Sequence, residues 1–327
     1  MMRVETVDPE RPSPEIIRQA AAHLARGELV VFPTETVYGL GAHGLQPAAL
    51  DKIFRANGRP TSHPLILHVA DIAMARDLAR EWPHQVEVLA RACWPGPLTL
   101  IVEKSDQVPL EVTGGGSTVG LRVPANRIAR DLISALGAPI AAPSANRYQT
   151  LSPTRAEHVH LEGVAMLLDG GPTAHGIEST VVDARVLPVR VLRPGALEIG
   201  RLRELVGEVD TAVLESGEGI HLSPGLDRKH YAPAATLLVL DTEEAITREL
   251  ARASLKRCAV ITRTFAVSGT ALSVRLPNHP EGYAEGMFAA LHQADDAHVD
   301  LVIVEGVPED DAWWGVRDRL MRASHRG

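Results

Sequence analysis

Residues 32–41 of this chain read FPTETVYGLG, and they carry the most information about how it folds. They follow an apolar run, Leu29 to Phe32, that is typical of a buried strand. Pro33 predicts the end of that strand, because proline lacks the N–H that a sheet ladder needs. Hydroxyls, a carboxylate and a phenol come next, at the place where open α/β sheets bind ligands. Glycines after Tyr38 allow close backbone approach. The stretch therefore predicts a binding loop just past a strand end.

Composition indicates an ordinary globular protein with enough residues for two domains. The chain has 327 residues, of which 45% are hydrophobic and 23% charged, and its net charge of -8 argues against a general electrostatic binder of nucleic acid. Cys93 and Cys258 lie outside any metal-ligand spacing and are predicted to be reduced thiols. No apolar run reaches membrane-spanning length and the first residues lack a signal-peptide core, so we expect a cytoplasmic protein without membrane contact.

The order of predicted elements indicates an α/β fold with two domains. Strands are predicted at residues 28–32, 65–69, 98–103, 119–123, 166–168, 180–182 and 189–192, and helices at 14–26, from 47, and at 72–80, 85–92, 128–136 and 197–206. Residues 1–206 are thus expected to form one domain. Residues 207–234, rich in glycine and proline, predict a linker. Residues 235–327 predict a smaller α/β domain, with strands at 236–240, 258–261 and 301–304 and helices at 243–255, 283–294 and 312–323.

The segment Gly39 to Gly44 matches G-x-G-x-x-G, but we reject a dinucleotide fingerprint there. The glycines do not follow the strand directly, and the next helix begins only at Pro47. No acidic residue ends a second strand at the required distance. The chain also lacks a G-x-x-x-x-G-K-[ST] loop, so any nucleotide is bound in another way.

Hydroxyls, amides and arginines recur at the ends of the other predicted strands. Taken singly, each has a structural explanation: Arg59 as a helix-end charge, His68 as a core histidine, and Ser144 or Asn146 as a helix cap. Taken together with Ser179 and Arg193 and the linker segments Ser223-Pro224-Gly225 and Lys229-His230-Tyr231, they form a lining suited to phosphates and carboxylates. The sequence shows no obvious nucleophile–base pair or metal cluster. The pattern favours catalysis by placement and charge stabilisation.

At this point the chain resembles the threonylcarbamoyl-AMP synthases, the YrdC-like family, in the long two-domain form. The matching motifs follow in family order from near the N-terminus into the linker: PTETVYGLG (33–41), GRP (58–60), PLILHV (64–69), WPGPLTLI (94–101), VGLRVP (119–124), APSAN (142–146), GIESTVVD (176–183), LRPG (192–195) and HYAP (230–233). The resemblance implies a YrdC-like twisted open α/β sheet followed by a smaller Rossmann-like domain.

The resemblance also implies a reaction. L-Threonine and bicarbonate form an N-carboxylate, which attacks the α-phosphate of ATP with the help of Mg²⁺ and gives threonylcarbamoyl-AMP and pyrophosphate. Other proteins then pass the threonylcarbamoyl group to a tRNA adenosine. Such chemistry needs no protein nucleophile, because the substrate supplies it, and depends on positioning and electrostatics.

Two sets of binding residues are carried over from the family motifs. Threonine is expected to contact Thr34, His68, Arg122, Ser179 and the backbone of Ala142. ATP is expected to contact Asn57, Thr61, Thr118, Ser144, Asn146, Ser152, Arg193 and Tyr231. Arg59 and Asn57 are expected at the catalytic turn near bicarbonate and phosphate. The linker would then serve as a lid, with Tyr231 closing over the nucleotide under the control of the second domain.

One residue departs from the family pattern, which has lysine where this chain has Asn57. A cation beside the phosphates is therefore missing, and the loss of such a contact costs on the order of a hundredfold in rate. Lys52 or Arg55 on the same helix would substitute, or activity would be weak, or the chain would have moved to a related reaction. Because the other motifs are intact, we favour a synthase that compensates.

Two other functions are alternatives to the synthase. A carbamoyltransferase-type module that uses carbamoyl phosphate usually carries further domains with metal-binding histidines, for which this chain has no motif. An RNA-binding protein with weak catalysis is disfavoured by the net charge of -8 and by the lack of an aromatic–basic stripe. Release of pyrophosphate that requires threonine and bicarbonate separates the three.

Overall fold

The fold is taken from a computed structural model, which describes residues 2–212, 230–253 and 257–325. The larger, N-terminal part contains these elements in chain order: β1 (Arg3–Thr6), α1 (Pro14–Ala25), β2 (Leu29–Pro33), β3 (Tyr38–His43), α2 (Pro47–Asn57), β4 (Ile66–His68), α3 (Ile72–Asp77), α4 (His84–Cys93), β5 (Leu98–Glu103), α5 (Leu110–Thr113), β6 (Thr118–Arg122), α6 (Arg127–Leu136), β7 (Ile140–Ala141), β8 (Val164–Asp169), β9 (Thr180–Asp183), β10 (Val189–Arg193), α7 (Ile199–Val206) and β11 (Val209–Asp210). The C-terminal part contains β12 (Thr236–Leu240), α8 (Glu243–Arg252), β13 (Cys258–Thr262), β14 (Leu272–Arg275), α9 (Pro280–Asp296), β15 (Leu301–Glu305) and α10 (Trp314–Ser324).

Two sheets organise these elements. The eleven strands of the first sheet lie in the order β1-β8-β2-β3-β7-β4-β6-β5-β9-β10-β11 and pair in both parallel and antiparallel fashion. The four strands of the second lie in the order β12-β15-β13-β14, and all of them are parallel. This confirms the predicted combination of an open α/β sheet and a smaller parallel α/β domain.

Helices cover both faces of the first sheet and make it a buried layer. On one face α1 packs with α6 and buries Ile17, Leu24, Ile128 and Leu132. On the other face α2 and α4 pack over a larger apolar core. α1 starts at Pro14 and ends before Gly27, whose φ of 72° is left-handed, as the sequence predicts.

The FPTETVYGLG stretch forms a hairpin, not the strand followed by a loop that the sequence predicts. β2 and β3 pair antiparallel with Pro33 opposite Tyr38, so only residues 34–37 form the turn. The prediction is wrong for Tyr38 to Gly41 because these residues continue the sheet. Close packing requires glycine at position 41, since a Cβ there would lie 2.8 Å from the Phe32 ring. The antiparallel pairing also supports the rejection of a dinucleotide fingerprint, which requires a strand-to-helix turn.

Four further strands escaped prediction, and one of them, β7, is only two residues long. β1 is a largely exposed edge strand of four residues and β14 alternates between exposed and half-buried side chains, so neither has a strong apolar pattern. β11 lies within the predicted linker and pairs parallel with β10. Most of the rest of that linker, including Ser223-Pro224-Gly225 and Lys229, lies outside the described residues. The domain boundaries therefore stay a prediction.

The two sheets are joined by close backbone packing. A Cβ at Gly315 of α10 would lie 2.7 Å from the carbonyl oxygen of Gly195, and one at Gly176 would lie 2.3 Å from that of Ala284 in α9. His292 Nε2, also in α9, donates to the carbonyl of Ser152 at 3.1 Å. Residues 176 and 315 therefore have to be glycine for the C-terminal helices to lie this close to the N-terminal part.

The structure also bears on the predictions about membrane spans and cysteines. No described helix is long and apolar enough to cross a membrane. Cys93 is half-buried and Cys258 is buried, and neither takes part in a disulfide within the described residues, which agrees with the prediction of reduced thiols.

Candidate active site

A cavity that is partly open to solvent lies at the ends of the central strands of the large sheet. Its wall is built from the β2–β3 turn, the ends of β4, β6 and β10, the segment after β7, the segment before β9, and the described end of the linker. Nine predicted site residues line it: Thr34, Arg59, His68, Arg122, Ala142, Ser144, Ser179, Arg193 and Tyr231. The structure thus brings together residues from 34 to 231 in one place.

Arg122 is the central cation on the side of the cavity where threonine is expected. It lies at the end of β6 and is buried, with one Nη2 atom 2.7 Å from Glu35 Oε1 and 3.0 Å from Thr36 Oγ1. Its Nε donates to the carbonyl of Gly96 at 3.3 Å. Within the described residues its Nη1 group makes no hydrogen bond, and this leaves two N–H groups for a ligand carboxylate.

Glu35 keeps Arg122 in place. Burial alone would raise the pKa of Glu35, but the Arg122 guanidinium outweighs it and holds the pKa below the usual range. The turn around this pair is fixed by Thr34, whose Oγ1 donates to Val37 O at 2.7 Å and accepts from two backbone N–H groups. The Thr34 hydroxyl therefore shapes the turn in addition to facing the cavity.

His68 lies beside Arg122, because β4 and β6 are parallel and the two residues are in register. Burial, and then the positive charge of Arg122, lower the pKa of His68 to about 3, so the ring is neutral near pH 7. Its Nδ1 atom is buried and has no hydrogen-bond partner among the described residues. An unpaired polar atom at a cavity wall indicates a ligand contact.

Replacing His68 by glutamine is expected to weaken the pH dependence of stability. Between pH 6.5 and about 3 the unfolded chain binds a proton at His68 that the folded protein does not bind. The free energy of unfolding of the wild type therefore falls as the pH falls, by about 2 kcal/mol at about pH 5 for this group. Urea unfolding of both proteins near pH 7.5 and pH 5 measures the difference. An equal loss in both would contradict a buried neutral His68.

The opposite wall holds a second hydrogen-bonded group. Arg193 Nη2 donates to the carbonyl of Ser179 at 2.9 Å and to its hydroxyl at 3.3 Å, and that hydroxyl also lies 2.8 Å from Thr99 Oγ1. Glu178 and the linker residue Tyr231 complete this wall. Arg193 and Ser179 are therefore held together by hydrogen bonds and would contact a bound ligand as one group.

The turn after α2 places Arg59 in the cavity but turns Asn57 elsewhere. Arg59 is buried, and its Nη2 donates to Pro64 O at 3.3 Å. Asn57 Oδ1 accepts from the Arg59 N–H at 3.0 Å, while the residue lines a neighbouring cleft that also includes Lys52, Arg55 and Arg147. Since Lys52 Nζ donates to Gly27 O at 2.6 Å, Arg55 is the better placed of the two proposed substitutes.

Four other predicted residues lie outside the cavity wall, and their roles stay predictions. Thr61 is exposed on the turn after Arg59, and Thr118 starts β6, at the opposite end of the strand from Arg122. Asn146 is buried and donates to the carbonyls of Arg147 and Thr150. Ser152 is buried behind Glu178, to which it donates at 2.5 Å.

Sequence reasoning missed three polar residues of the cavity wall. Thr36 and His230 line the cavity beside predicted residues, and Glu178 lies directly before Ser179. All three lie in segments that carry predicted site residues, but nothing in the local sequence distinguishes these side chains from their neighbours. The negative charge of Glu35 and Glu178 was the available signal, since a carboxylate in an apolar segment requires a buried cation partner.

Comparisons with known proteins find relatives that match nearly the whole chain. A family model described as "Telomere recombination" (Sua5_yciO_yrdC) matches residues 22–195, and a model described as the threonylcarbamoyl-AMP synthase C-terminal domain matches residues 197–325. A threonylcarbamoyl-AMP synthase of Pyrococcus abyssi is 39% identical over 318 residues, or 94% of both chains. One from Bacillus subtilis is 39% identical and covers 94% of this chain and 92% of its own. The crystal structure of P. abyssi Sua5 complexed with L-threonine superposes with a TM-score of 0.91 at 38% identity, covering 98% of this chain and 97% of its own.

Proposed function

Because the chain belongs to the threonylcarbamoyl-AMP synthase family, we propose that its cavity makes threonylcarbamoyl-AMP and pyrophosphate from L-threonine, bicarbonate and ATP. It is an enzyme of the nucleotidyl-transferring kind, and L-threonine and ATP are its substrates. The observation that carries the proposal is the convergence of Arg59, Arg122 and Arg193 on one cavity with hydroxyls between them. The carbamoyltransferase and RNA-binding alternatives are not favoured by these relatives.

Two bond-forming steps make up the proposed reaction. The threonine amine attacks the carbon of bicarbonate, and loss of water leaves an N-carboxylate. A carboxylate oxygen then attacks the α-phosphorus of ATP, and the bond from that phosphorus to the β-bridging oxygen breaks to release pyrophosphate. The protein supplies no nucleophile, so its contribution is to place three anionic or zwitterionic reactants in line.

The cavity divides this work between two sides. On the first side Arg122 binds the threonine carboxylate through its remaining N–H groups, and the neutral His68 adds no charge beside the threonine amine. On the other side Arg193 and Arg59 face the phosphates and lower the repulsion between bicarbonate and ATP. Ser179 lies on the boundary, since its hydroxyl contacts Arg193.

Mg²⁺ is proposed to enter with ATP. The described residues contain no cluster of three acidic, histidine or cysteine side chains that could hold a metal on their own. Glu178 lines the cavity and Glu35 contacts Arg122 of its wall, yet both carboxylates already pair with arginines. A magnesium ion bound mainly through substrate phosphates and water is the usual arrangement for this ion, and it would neutralise phosphate charge.

The product implies partners downstream. Threonylcarbamoyl-AMP is a reactive mixed anhydride, so we propose that separate transfer proteins pass its threonylcarbamoyl group to tRNA adenosine. Any direct contact with RNA is expected to be weak, since the chain carries a net charge of -8.

Release of pyrophosphate by the purified full-length chain tests the proposed function. We expect release from ATP only when both threonine and bicarbonate are present, with threonylcarbamoyl-AMP identified by its mass. Release that ignores threonine or bicarbonate, or none at all with magnesium present, would reject the synthase assignment.

Asn57→Lys is expected to raise turnover or bicarbonate affinity on the order of tenfold, because it restores a cation on the turn that carries Arg59. The lost hydrogen bond from Arg59 N–H to Asn57 Oδ1 costs about 1 kcal/mol of stability, which does not oppose the kinetic gain. Steady-state kinetics with varied bicarbonate measure the effect, and unchanged kinetics would refute the idea of a missing cation.

Two variants control for this change. Ala48→Lys adds the same charge at an exposed position of α2 outside the cleft of Asn57 and is expected to give wild-type kinetics. Arg55→Gln tests compensation, because Arg55 lines the same cleft as Asn57. It is expected to lower turnover in the wild type and to have a smaller effect in the Asn57→Lys background.

A further inference from the structure

A side chain of the C-terminal domain reaches the wall of the cavity. Arg319 of α10 is fully buried, and its Nε donates to Glu178 Oε2 at 2.6 Å. Its Nη1 donates to Asp318 Oδ2 at 2.6 Å. Its guanidinium carbon lies 4.9 Å from the ring centre of Tyr231. Arg319 does not line the cavity itself, but Glu178 and Tyr231 both do.

The two carboxylate oxygens of Glu178 accept hydrogen bonds from different domains. Oε1 accepts from Ser152 of the N-terminal domain at 2.5 Å, and Oε2 accepts from Arg319. Burial alone would raise the pKa of Glu178, but Arg319 and then Arg193 reverse this and keep the pKa below the usual range. Without Arg319 this wall would hold a buried carboxylate with a weakened counter-charge beside Ser179.

Tyr231 also depends on the C-terminal domain. It is fully buried and has a φ of 61°, a left-handed conformation that costs free energy for a residue other than glycine. Its ring contacts Phe288 of α9 at 5.9 Å between centroids as well as the guanidinium of Arg319. The described end of the linker is thus held at the cavity by groups from α9 and α10.

We propose that Arg319 is a positioning residue of the synthase reaction, one that fixes the Glu178 carboxylate and the Tyr231 ring so that docking of the C-terminal domain completes the active site. The inference rests on the proposed function of the cavity. Only arginine can hold both groups, because the planar guanidinium binds a carboxylate along its edge while its face lies on an aromatic ring. The ammonium of lysine is a point charge and does not hold both groups in fixed directions.

Arg319→Gln and Arg319→Lys in the full-length protein test the proposal, after threonine- and bicarbonate-dependent pyrophosphate release has been established for the wild type. We expect Arg319→Gln to lower kcat/KM on the order of tenfold to a hundredfold. Arg319→Lys keeps the charge, and its kcat/KM is expected to lie between those of the wild type and Arg319→Gln. The acidic limb of the pH profile should move to higher pH in Arg319→Gln, because Glu178 loses the first of its two guanidinium partners. A purely structural arginine would not shift that limb.

The control is Arg317→Gln, on the same helix, where a half-buried arginine donates to Pro308 O and contacts neither Glu178 nor Tyr231. It should keep wild-type kcat/KM and pH profile. The proposal is overturned if folded Arg319→Gln behaves like this control in both measurements. If Arg319→Gln does not fold, Arg319→Lys and Glu178→Gln carry the test, and wild-type kcat/KM in both would overturn it.

An inactive wild type would reject the proposed function, and the positioning of Glu178 and Tyr231 by Arg319 would then be tested by ligand binding alone. Calorimetric titration with ATP then decides, since a displaced Tyr231 should weaken nucleotide binding in Arg319→Gln and leave it unchanged in Arg317→Gln. Equal affinities in the two variants would overturn the positioning role.

Discussion

Arg122→Gln is expected to abolish threonine-dependent pyrophosphate release to within assay limits, with kcat/KM for threonine reduced on the order of a hundredfold or more. Arg122 is the buried cation whose Nη1 group is left for a ligand, whereas its other donors hold Glu35, Thr36 and Gly96. The same change leaves Glu35 buried without its counter-charge. Removing one partner of a buried ion pair destabilises a protein by about 3–5 kcal/mol, so the variant should also unfold at lower urea concentration.

The double variant Arg122→Gln/Glu35→Gln separates the two effects. It removes the stranded carboxylate and should recover most of the lost free energy of unfolding, while activity stays lost. Recovery of activity together with stability would mean that Arg122 acts only through the fold and does not bind threonine.

Arg59→Gln should reduce kcat on the order of a hundredfold to a thousandfold while threonine binding changes little. Arg59 is buried at the cavity, on the turn that lacks the lysine of the family pattern, so it carries more of the phosphate charge than it would beside a second cation. Steady-state kinetics with varied ATP, combined with calorimetric titration of threonine, distinguish the two sides of the cavity.

The matched control for Arg59→Gln is Arg91→Gln, an exposed arginine of α4 paired with Glu87. It makes the same change in net charge far from any predicted contact and should leave kcat near that of the wild type. An equal fall in kcat in both variants would mean that kcat depends on the net charge of the protein and not on a cation at the cavity.

Much of the cavity could be predicted from sequence because its residues sit next to strand ends. Arg122, Ser179 and Arg193 each border a short apolar run, and the order of runs along the chain places those ends together. The same logic located Thr34 but mistook the hairpin for a loop. β3 contains two glycines and is buried on both faces, so it lacks the alternation that identifies a half-buried strand.

The supporting ion pairs were beyond the reach of sequence reasoning. Glu178 and Arg319 are 141 residues apart and belong to different domains, so no spacing or local pattern relates them. Glu35 pairs with Arg122 only because the β2–β3 turn lies against the end of β6. Asn57 shows the opposite case, in which the sequence departure was visible but only the structure shows that the side chain turns into the neighbouring cleft.

A crystal structure of the full-length chain with L-threonine and a non-hydrolysable ATP analogue tests the central claim most directly. The account predicts that the threonine carboxylate lies on Arg122 Nη1 and that the α-phosphate lies between Arg59 and Arg193, with Tyr231 over the nucleotide. Threonine or nucleotide bound outside this cavity, with Arg122 left facing only Glu35 and Thr36, would contradict it.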